Sequence, residues 1–512
     1  TRATAATRVD EAGLVNYAEI IGDSALTGNN SNFDTGIGDW VTYNGGTLAH
    51  STDSLQVTLT SGESGARIDT NSLISGGQTG KTFKVKARIW KGTSTNSSIA
   101  IFIGGVQKFI NISSTPTYFE ADLTTTSTSM LTIYRAGGAG GVGTYFIDDV
   151  TVKEVTRDNV PRIDYTGGGC PHILAEPQST NLFINSIWDG GTDNVSAPTS
   201  WSLNDISDPI YTYSTSQYTS GKKINIQGTG SRLILSQTVT ISSNSFVNAS
   251  VKVKYISGSF AVSRIASTLS PPADSTNTYY YNGILVSSNF TPTEDGILEM
   301  RVSSVTGGSV GVRLGLGTSG AATGHIELDM PQCETLTYRT SFIPTTTSTV
   351  TRNQDQFSRD GIGSLINSTE GVLFAEIQGF ANYNLQRVMS LSDGSSNVNT
   401  VQLGILNSTS NYKIFVSVRV GSSFQAFMTY DLGAIVPTMV KVAIKYKEND
   451  FALWVDGVER ATDTSGLTFS ADTLNELAFD RGGGAQKFEG KVKQLQVYKT
   501  ALTDAQLTSL TS

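Results

Sequence analysis

The stretch VKVAIKYKENDFALWVDG, residues 440–457, decides the fold of the C-terminal part of the chain. Apolar side chains alternate with three lysines and an alanine over residues 440–447, and a period of two is typical of a β-strand with one buried face. Residues 448–450 turn the chain into a second apolar run, and Asp456-Gly457 predicts the tight turn of a further hairpin. The stretch therefore predicts antiparallel β-sheet.

The end of the chain continues this pattern and adds a short helix. Residues 488–498, FEGKVKQLQVY, predict another strand, and ALTDAQL follows at residues 501–507. Thr503 and Gln506 have the spacing of a capping box, which predicts the start of a helix. Together with the WVDG hairpin, these segments resemble the concanavalin-like, laminin-G-like jelly roll. The resemblance covers residues 348–512 and implies a β-sandwich there.

The composition of the whole chain is typical of β-rich modules. Its 512 residues suggest about three domains, only 16% of them are charged, and segments with a helical period are nearly absent. Short apolar alternations in a chain rich in Gly, Ser and Thr favour strands. We therefore predict an all-β protein made of tandem jelly-roll β-sandwiches that ends in a concanavalin-like sandwich.

Charge and hydropathy argue against two classes of partner, and the cysteine content argues against a disulfide framework. The net charge of −8 argues against a nucleic-acid binder, which needs a basic face. No apolar run approaches the ~20 residues that span a bilayer, so we predict no membrane insertion. Cys170 and Cys333 are too few for a disulfide framework, and the sequence leaves open whether they pair.

Two modules share one plan. In residues 23–156 the sequence opens with NFDTGIGDW, continues with the alternating strand TFKVKARIWK and ends with YFIDDVTV. This order resembles the jelly-roll carbohydrate-binding modules attached to many glycanases. Residues 185–347 repeat the same order of landmarks. Trp201 corresponds to Trp40, the segment VKVKY corresponds to the alternating strand TFKVKARIWK, and HIELDM corresponds to the closing strand YFIDDVTV.

Three further segments resemble bacteriophage virion proteins of the tail-fibre, head-fibre and receptor-binding kind. They are TRVDEAGLV at residues 7–15, PRIDYTGGG with LAEPQSTNL at residues 161–182, and YRTSFIPT at residues 338–345. We interpret residues 1–22 and 157–184 as the two halves of one attachment element, into which residues 23–156 are inserted. The resemblance implies a location in the virion and contacts with other virion proteins. It also implies a homo-oligomer, which we expect to be a trimer.

Exposed aromatic rings are the natural candidates for sugar binding, because sugars stack their apolar C–H faces on such rings. Trp90 lies on the basic face of its strand and is predicted to point away from the core. Trp40 and Tyr43 are further candidates in this module, and Trp454 is one in the last domain, where it could equally meet a neighbouring subunit. The alternative for Trp40 and Trp90 is a place in a hydrophobic core.

Four oxygen-bearing residues predict a structural Ca²⁺ site. The related carbohydrate-binding jelly rolls often hold Ca²⁺ between the final strand and the opening segment, which implies a role for Asp148, Asp149, Asn32 and Asp34. The alternative is a solvated Asp pair or hydrogen bonds from the aspartates to turn amides.

No catalytic residues are predicted. Glu327-Leu328-Asp329 resembles half of the E-x-D-x-x-E site of retaining β-glucanases, but Pro331 and Gln332 stand where the second glutamate belongs. Three scattered histidines do not suggest an imidazole-based site. We predict a non-enzymatic appendage protein that binds host-surface glycans, with a purely structural virion protein and a polysaccharide depolymerase as alternatives.

Overall fold

A computed structural model describes the whole chain except residues 1, 3, 61–62, 136–141, 219, 244, 259–276, 288–289, 303–307, 381–385, 396, 409–410 and 434–437. The chain forms two compact units. One consists of Glu19–Arg157, and the other combines Thr1–Ala18 with Asp158–Ser512. Over the described residues, no helix has the length and hydropathy needed to cross a membrane.

The first strands of the chain belong to the larger unit, and the smaller unit follows them. The larger unit begins with a hairpin of β1 (Thr7–Val9) and β2 (Val15–Tyr17). The strands of the smaller unit are β3 (Ile20–Ser24), β4 (Val41–Tyr43), β5 (Thr47–His50), β6 (Leu55–Leu59), β7 (Gly65–Ile68), β8 (Thr82–Lys91), β9 (Ser98–Ile103), β10 (Val106–Asn111), β11 (Thr117–Thr124), β12 (Leu131–Arg135) and β13 (Gly143–Thr156).

The smaller unit is a sandwich of two antiparallel sheets. One sheet has the strand order β10-β9-β12-β7-β4, and the other has the order β11-β8-β13-β6-β5, with β3 paired to β13. Apolar residues at every second position of these strands form one core, among them Val85, Ile89, Ile101, Ile133 and Ile147. The period of two in the sequence therefore becomes one buried face on each sheet.

The larger unit continues with twenty-two more strands and one helix among its described residues. The strands up to the end of the second module are β14 (Ile163–Asp164), β15 (His172–Ala175), β16 (Ser179–Asn181), β17 (Ser202–Thr215), β18 (Lys222–Ile241), β19 (Val247–Gly258), β20 (Asn277–Tyr281), β21 (Ile284–Val286), β22 (Gly296–Val302) and β23 (Gly308–Glu334). The remaining elements are β24 (Val350–Arg352), β25 (Ser358–Arg359), β26 (Glu370–Gly379), β27 (Gln386–Ser392), β28 (Thr400–Ser408), β29 (Asn411–Val420), β30 (Ser423–Gly433), β31 (Val440–Lys447), β32 (Phe451–Val455), β33 (Val458–Asp463), β34 (Glu476–Ala478), β35 (Gly490–Tyr498) and α1 (Asp504–Thr511).

The second module repeats local features of the first. Its strands have the order β17-β18-β23-β19-β22-β20-β21, and both ends of the long strands β18 and β23 contribute to one core. The Trp40 indole donates to Asn30 O and the Trp201 indole to Asn185 O, each over 3.0 Å. The final strands of both modules carry a bulge where Asp149 and Met330 adopt positive φ. These shared irregularities support the repeat seen in the sequence.

The C-terminal domain is a second two-sheet sandwich. Its sheets have the orders β14-β15-β35-β26-β31-β32-β33 and β25-β34-β27-β28-β29-β30, with a continuous apolar core between them. The prediction of an all-β protein that ends in a β-sandwich is confirmed. Thr503 and Gln506 form the predicted capping box of α1. Strands β14 and β15 come from the segment that the sequence predicts as a separate attachment element, so this segment extends the C-terminal sheet.

Buried ion pairs fix this segment in place. Arg162 Nη1 lies 2.6 Å from Glu176 Oε2, and Arg352 Nη1 lies 2.8 Å from the same oxygen. Asp355 pairs with Arg162 and, over 2.6 Å, with Arg2. Burial alone would raise the pKa of Glu176, but Arg352 and Arg162 hold it at about 2. Arg162 and Glu176 of the virion-like segment 161–182 therefore form one buried network with Arg2, Arg352 and Asp355.

Candidate functional site

The outward face of β8 presents a row of basic and aromatic side chains. Phe83, Val85, Ala87 and Ile89 fill the core of the smaller unit, so the alternate residues of the strand point outward. These outward residues are Lys84, Lys86, Arg88 and Trp90, all of them half-buried. Because β8 lies between β11 and β13, the row runs across the middle of a sheet rather than along its edge.

Trp90 forms a stacked aromatic pair with Phe146 of β13. The two residues are direct cross-strand partners, their ring centroids lie 5.3 Å apart, and their planes differ by 15°. Gly92 makes room for the pair, since a Cβ there would lie 2.8 Å from the Phe146 ring. Both rings are half-buried, so part of this stacked apolar pair remains accessible to solvent.

Polar groups border this aromatic surface. The Arg88 guanidinium lies 5.6 Å from the centre of the Trp90 ring and 3.4 Å from Asp148 Oδ2. On the other side of Arg88 stands its strand partner Tyr118, which is 51% exposed and whose hydroxyl donates to Asp149. The Lys86 ammonium lies 4.4 Å from the centre of the Tyr118 ring. Donors and acceptors thus surround the stacked pair.

The titration behaviour of two of these groups reflects their hydrogen bonds. The hydrogen bond to Asp149 raises the pKa of Tyr118 above its ordinary value, so the phenol stays protonated and remains a donor. Burial raises the pKa of Asp148, while the Asp149 N–H and Arg88 oppose this rise.

The other sequence-predicted aromatic residues lie elsewhere, and two predictions need correction. Trp40 is 2% exposed and packs on Phe33, so its ring has no free face. Trp454 is 5% exposed and lies against Leu507 of α1, because the C-terminal helix covers its strand. Both are core residues rather than binding residues.

Tyr43 lies on a different sheet from Trp90. It belongs to β4 and packs on Tyr134, with ring centroids 5.3 Å apart and planes tilted by 60°. Trp90 is therefore the one member of the predicted aromatic set that lies on the face described above.

Sequence reasoning missed Phe146, Arg88 and Tyr118 as members of this surface. The alternation of buried Tyr145 and Ile147 around Phe146 could have shown that Phe146 points outward. The pairing of Phe146 with Trp90 depends on the register between two strands that lie far apart in the chain. No local signal in the sequence specifies that register.

The predicted Ca²⁺ ligands are only partly available. Asp148 pairs with Arg88, and Asp149 accepts a hydrogen bond from Tyr118. Asn32 Nδ2 donates to Asp34 Oδ2 over 2.5 Å, while Asn32 Oδ1 is buried without a hydrogen-bond partner. No three His, Cys, Asp or Glu side chains of the described residues come together as a metal-binding group. A bound cation would give the unpartnered Oδ1 of Asn32 a partner.

The chain has only low sequence identity to the known proteins that it matches in structure. No curated protein matches the chain. Among solved structures, the CBM40 module of the Ruminococcus gnavus IT-sialidase is 20% identical, with a TM-score of 0.25, over 30% of this chain and 98% of that module. A heptameric SAP-like pentraxin from Limulus polyphemus is 15% identical, with a TM-score of 0.25, over 29% of this chain and 71% of the pentraxin chain.

A leech intramolecular trans-sialidase is 20% identical, with a TM-score of 0.25, over 30% of this chain and 26% of that enzyme. A more specific match lies in the C-terminal domain. Residues 380–508 match the family model of the concanavalin A-like lectin and glucanase superfamily, Laminin_G_3.

Proposed function

We propose that the chain is a non-enzymatic glycan-binding protein and that the outward face around Trp90 is a saccharide site. The observation that carries this proposal is the stacked, half-buried pair of Trp90 and Phe146, which lies beside Arg88 and its strand partner Tyr118. The match of residues 380–508 to a superfamily that includes lectins supports saccharide binding in general terms.

The chemistry of a sugar ring suits this surface. A pyranose has an apolar C–H face, which packs on a flat aromatic ring, and a rim of hydroxyl groups, which needs donors and acceptors. Arg88 is a donor, and the Tyr118 oxygen and the carboxylates of Asp148 and Asp149 are acceptors. The face is the broad side of a sheet rather than a deep cavity, so it favours a polysaccharide chain that lies across the strands.

The carboxylates at the glucanase-like segment of the second module support binding without cleavage. Glu327 pairs with Lys223 over 2.8 Å. Both oxygens of Asp329 accept hydrogen bonds, one from Ser216 Oγ over 2.6 Å and one from Gln217 N over 2.9 Å. Glycosidases need one carboxyl group free to protonate the leaving oxygen. Asp329 is already used to hold the loop at Ser216, which argues for a structural role.

We also propose that this protein is an appendage of a bacteriophage virion and works as a homotrimer. The resemblance of residues 7–15, 161–182 and 338–345 to virion proteins supports this setting. Symmetric display would strengthen weak single-site binding, since linked sites can raise avidity ~10²-fold or more. A purely structural virion protein is the competing function.

A structural Ca²⁺ in the smaller unit is a separate proposal. Asn32 would hold it through Oδ1 and Asp34 through its carboxylate, and the ion would tie the opening segment together. The saccharide site does not depend on this ion, because Trp90 and Phe146 contact each other directly.

One experiment separates binding, cleavage and a structural role. The full chain is applied to an array of bacterial capsular polysaccharides and lipopolysaccharide O-chains, and the retained glycans are then assayed for new reducing ends. We expect retention of at least one glycan without new reducing ends. New ends would show a depolymerase, and the absence of retention on every surface would favour the purely structural role.

A further inference from the structure

The outer sheet of the C-terminal domain carries a group of exposed aromatic rings beside two arginines. On β29 and β30, Ile414, Val416, Val418, Ala426 and Met428 face the core. Ser417 and Phe427 alternate with these residues and are direct strand partners on the outer face. Arg419 and Phe424 are also partners, and a register shift next to this pair places Phe424 beside Phe427. Of these outer side chains, Phe424 and Phe427 are exposed and Arg419 is half-buried, whereas Ser417 is buried.

Phe424 and Phe427 are unusually exposed for phenylalanine. Each is 52% exposed, and their ring centroids lie 5.3 Å apart. Phe427 also stacks on the buried ring of Phe415 at 6.4 Å, with planes that differ by 30°. Since Phe415 anchors the cluster, the two exposed rings form a supported apolar surface. Exposed apolar patches on a soluble domain frequently mark binding surfaces.

Arg419 lies directly on this surface. Its guanidinium is 3.5 Å from the centre of the Phe424 ring, and Nη1 donates to Ser422 O over 2.9 Å. Its Nε has no hydrogen-bond partner although it is shielded from solvent. The stacked position leaves the guanidinium oriented but not neutralised, which is the arrangement that suits recognition of a carboxylate.

Arg481 approaches the same side of the sheet from the loop that follows β34. The loop lies over the sheet, since Asp480 O accepts from Ser390 Oγ over 2.8 Å. Arg481 Nη2 donates to the neutral amides of Gln386, over 2.8 Å, and Gln486. Burial lowers the pKa of Arg481, and the nearby positive charge of Arg419 lowers it further. Arg481 therefore lies on the outer side of the sheet that also carries Arg419.

Neither arginine is neutralised by an acid in the part of the chain that the structure describes. Among the described residues, no carboxylate lies within ion-pair distance of Arg419 or Arg481, whereas other half-buried or buried arginines of this unit, such as Arg162, Arg301 and Arg387, pair with acids. A bound anion would complement the positive charges of these two half-buried arginines. The neighbouring rings would accept the apolar face of a sugar.

We propose that Arg419, Arg481, Phe424 and Phe427 form a second saccharide site, which takes a carboxylated sugar. The arginines would bind the carboxylate and the phenylalanines the ring. This site lies in the C-terminal domain and shares no residue with the face around Trp90. Its ligand class is acidic, whereas the Trp90 face carries both charges and needs no anion.

The test measures binding of the full chain to oligogalacturonate and to hyaluronan oligosaccharides by titration calorimetry. The same oligosaccharides with their carboxyl groups reduced to alcohols are the ligand controls. We expect binding of at least one acidic oligosaccharide, weakened at least 10-fold by carboxyl reduction and weakened by added salt. Absence of binding to both acidic ligands, or equal binding of the reduced forms, would overturn the proposal.

The variants Arg419→Gln and Arg481→Gln assign the binding to this site. Each should weaken it at least 10-fold, while Arg460→Gln should leave it unchanged. Arg460 is a matched control, because its guanidinium stacks on Tyr430 at 4.3 Å in the same domain. Equal effects of all three variants would contradict the assignment.

Two further variants complete this test. If Arg481→Gln alters the melting temperature, Arg419→Gln decides alone, because its one hydrogen bond is an exposed contact with the nearby Ser422 carbonyl. Trp90→Ala should leave acidic binding intact, so failure of this site and failure of the proposed function are distinguishable.

Discussion

The guanidinium of Arg162 lies 2.6 Å from the carboxylate of Glu176, and neither side chain is more than 4% exposed. Arg352 shares Glu176, and Asp355 joins Arg162 to Arg2. These residues come from three separate stretches of the chain. The network gives a physical reason for the arginine and the acid in the virion-like segment 161–182.

Replacement of Arg162 should destabilise the larger unit strongly. Arg162→Met leaves Glu176 and Asp355 buried with fewer partners, and a broken buried ion pair costs about 3–5 kcal/mol. Urea denaturation of the full chain measures this loss. Arg8→Met is the control, since Arg8 makes an exposed hydrogen bond to Ile163 O, and it should change stability by less than about 0.5 kcal/mol. Equal stability of the two variants would contradict the role of the network.

The pH dependence of stability should reveal Glu176. Its folded pKa of about 2 lies below the ordinary 4.5, so its contribution is complete above about pH 4.5 and is lost as the pH falls toward 2. The shift corresponds to about 3 kcal/mol at neutral pH. The difference in unfolding free energy between the wild type and Glu176→Gln should therefore shrink from pH 6 to pH 3. A difference that stays constant over this range would show that Glu176 does not titrate as stated.

Gly92 should control the stacked pair. A methyl group at Gly92 would lie 2.4 Å from Thr144 Oγ1 and 2.8 Å from the Phe146 ring, so Gly92→Ala should displace Phe146 from Trp90. We expect saccharide binding to weaken by about 1–2 kcal/mol, with the fold retained. Gly36→Ala is the control, because its Cβ would meet only Asn29 at an ordinary 3.7 Å. If Gly92→Ala binds the saccharide as tightly as the wild type, the stacking of Trp90 on Phe146 is not needed for binding.

Calcium should stabilise the smaller unit if Asn32 and Asp34 hold it. A ligand at 100 times its dissociation constant stabilises the folded state by about 2.7 kcal/mol. We expect the melting temperature of the full chain to fall in a chelator, and Asn32→Ala to lose this sensitivity. If the wild type has the same melting temperature with calcium and with chelator, the proposed Ca²⁺ site is rejected.

The sequence predicts the local elements well, because their signals are local. The alternation around Ile444 and the capping box at Thr503 depend on neighbouring residues only, and the structure has both the strand and the helix. The outward direction of Trp90 follows from the same alternation.

The positions that the sequence does not predict depend on distant parts of the chain. Trp454 lies on the face opposite the core of its strand, as the alternation indicates, but α1 covers that face. The indole N–H of Trp40 donates to the carbonyl of Asn30, and this contact with an earlier loop holds the ring in the core. The stacking of Trp90 on Phe146 needs the register of β8 against β13, which no short segment encodes.

The most direct measurement of the central claim is the affinity of Trp90→Ala for a neutral glycan that the wild-type chain retains on the polysaccharide array. Phe109→Ala is the matched control, because Phe109 is 55% exposed and lies on the other sheet of the same unit. We predict that Trp90→Ala weakens binding at least 10-fold with an unchanged melting temperature, and that Phe109→Ala binds like the wild type. Equal affinities of Trp90→Ala and the wild type would contradict saccharide binding at this face.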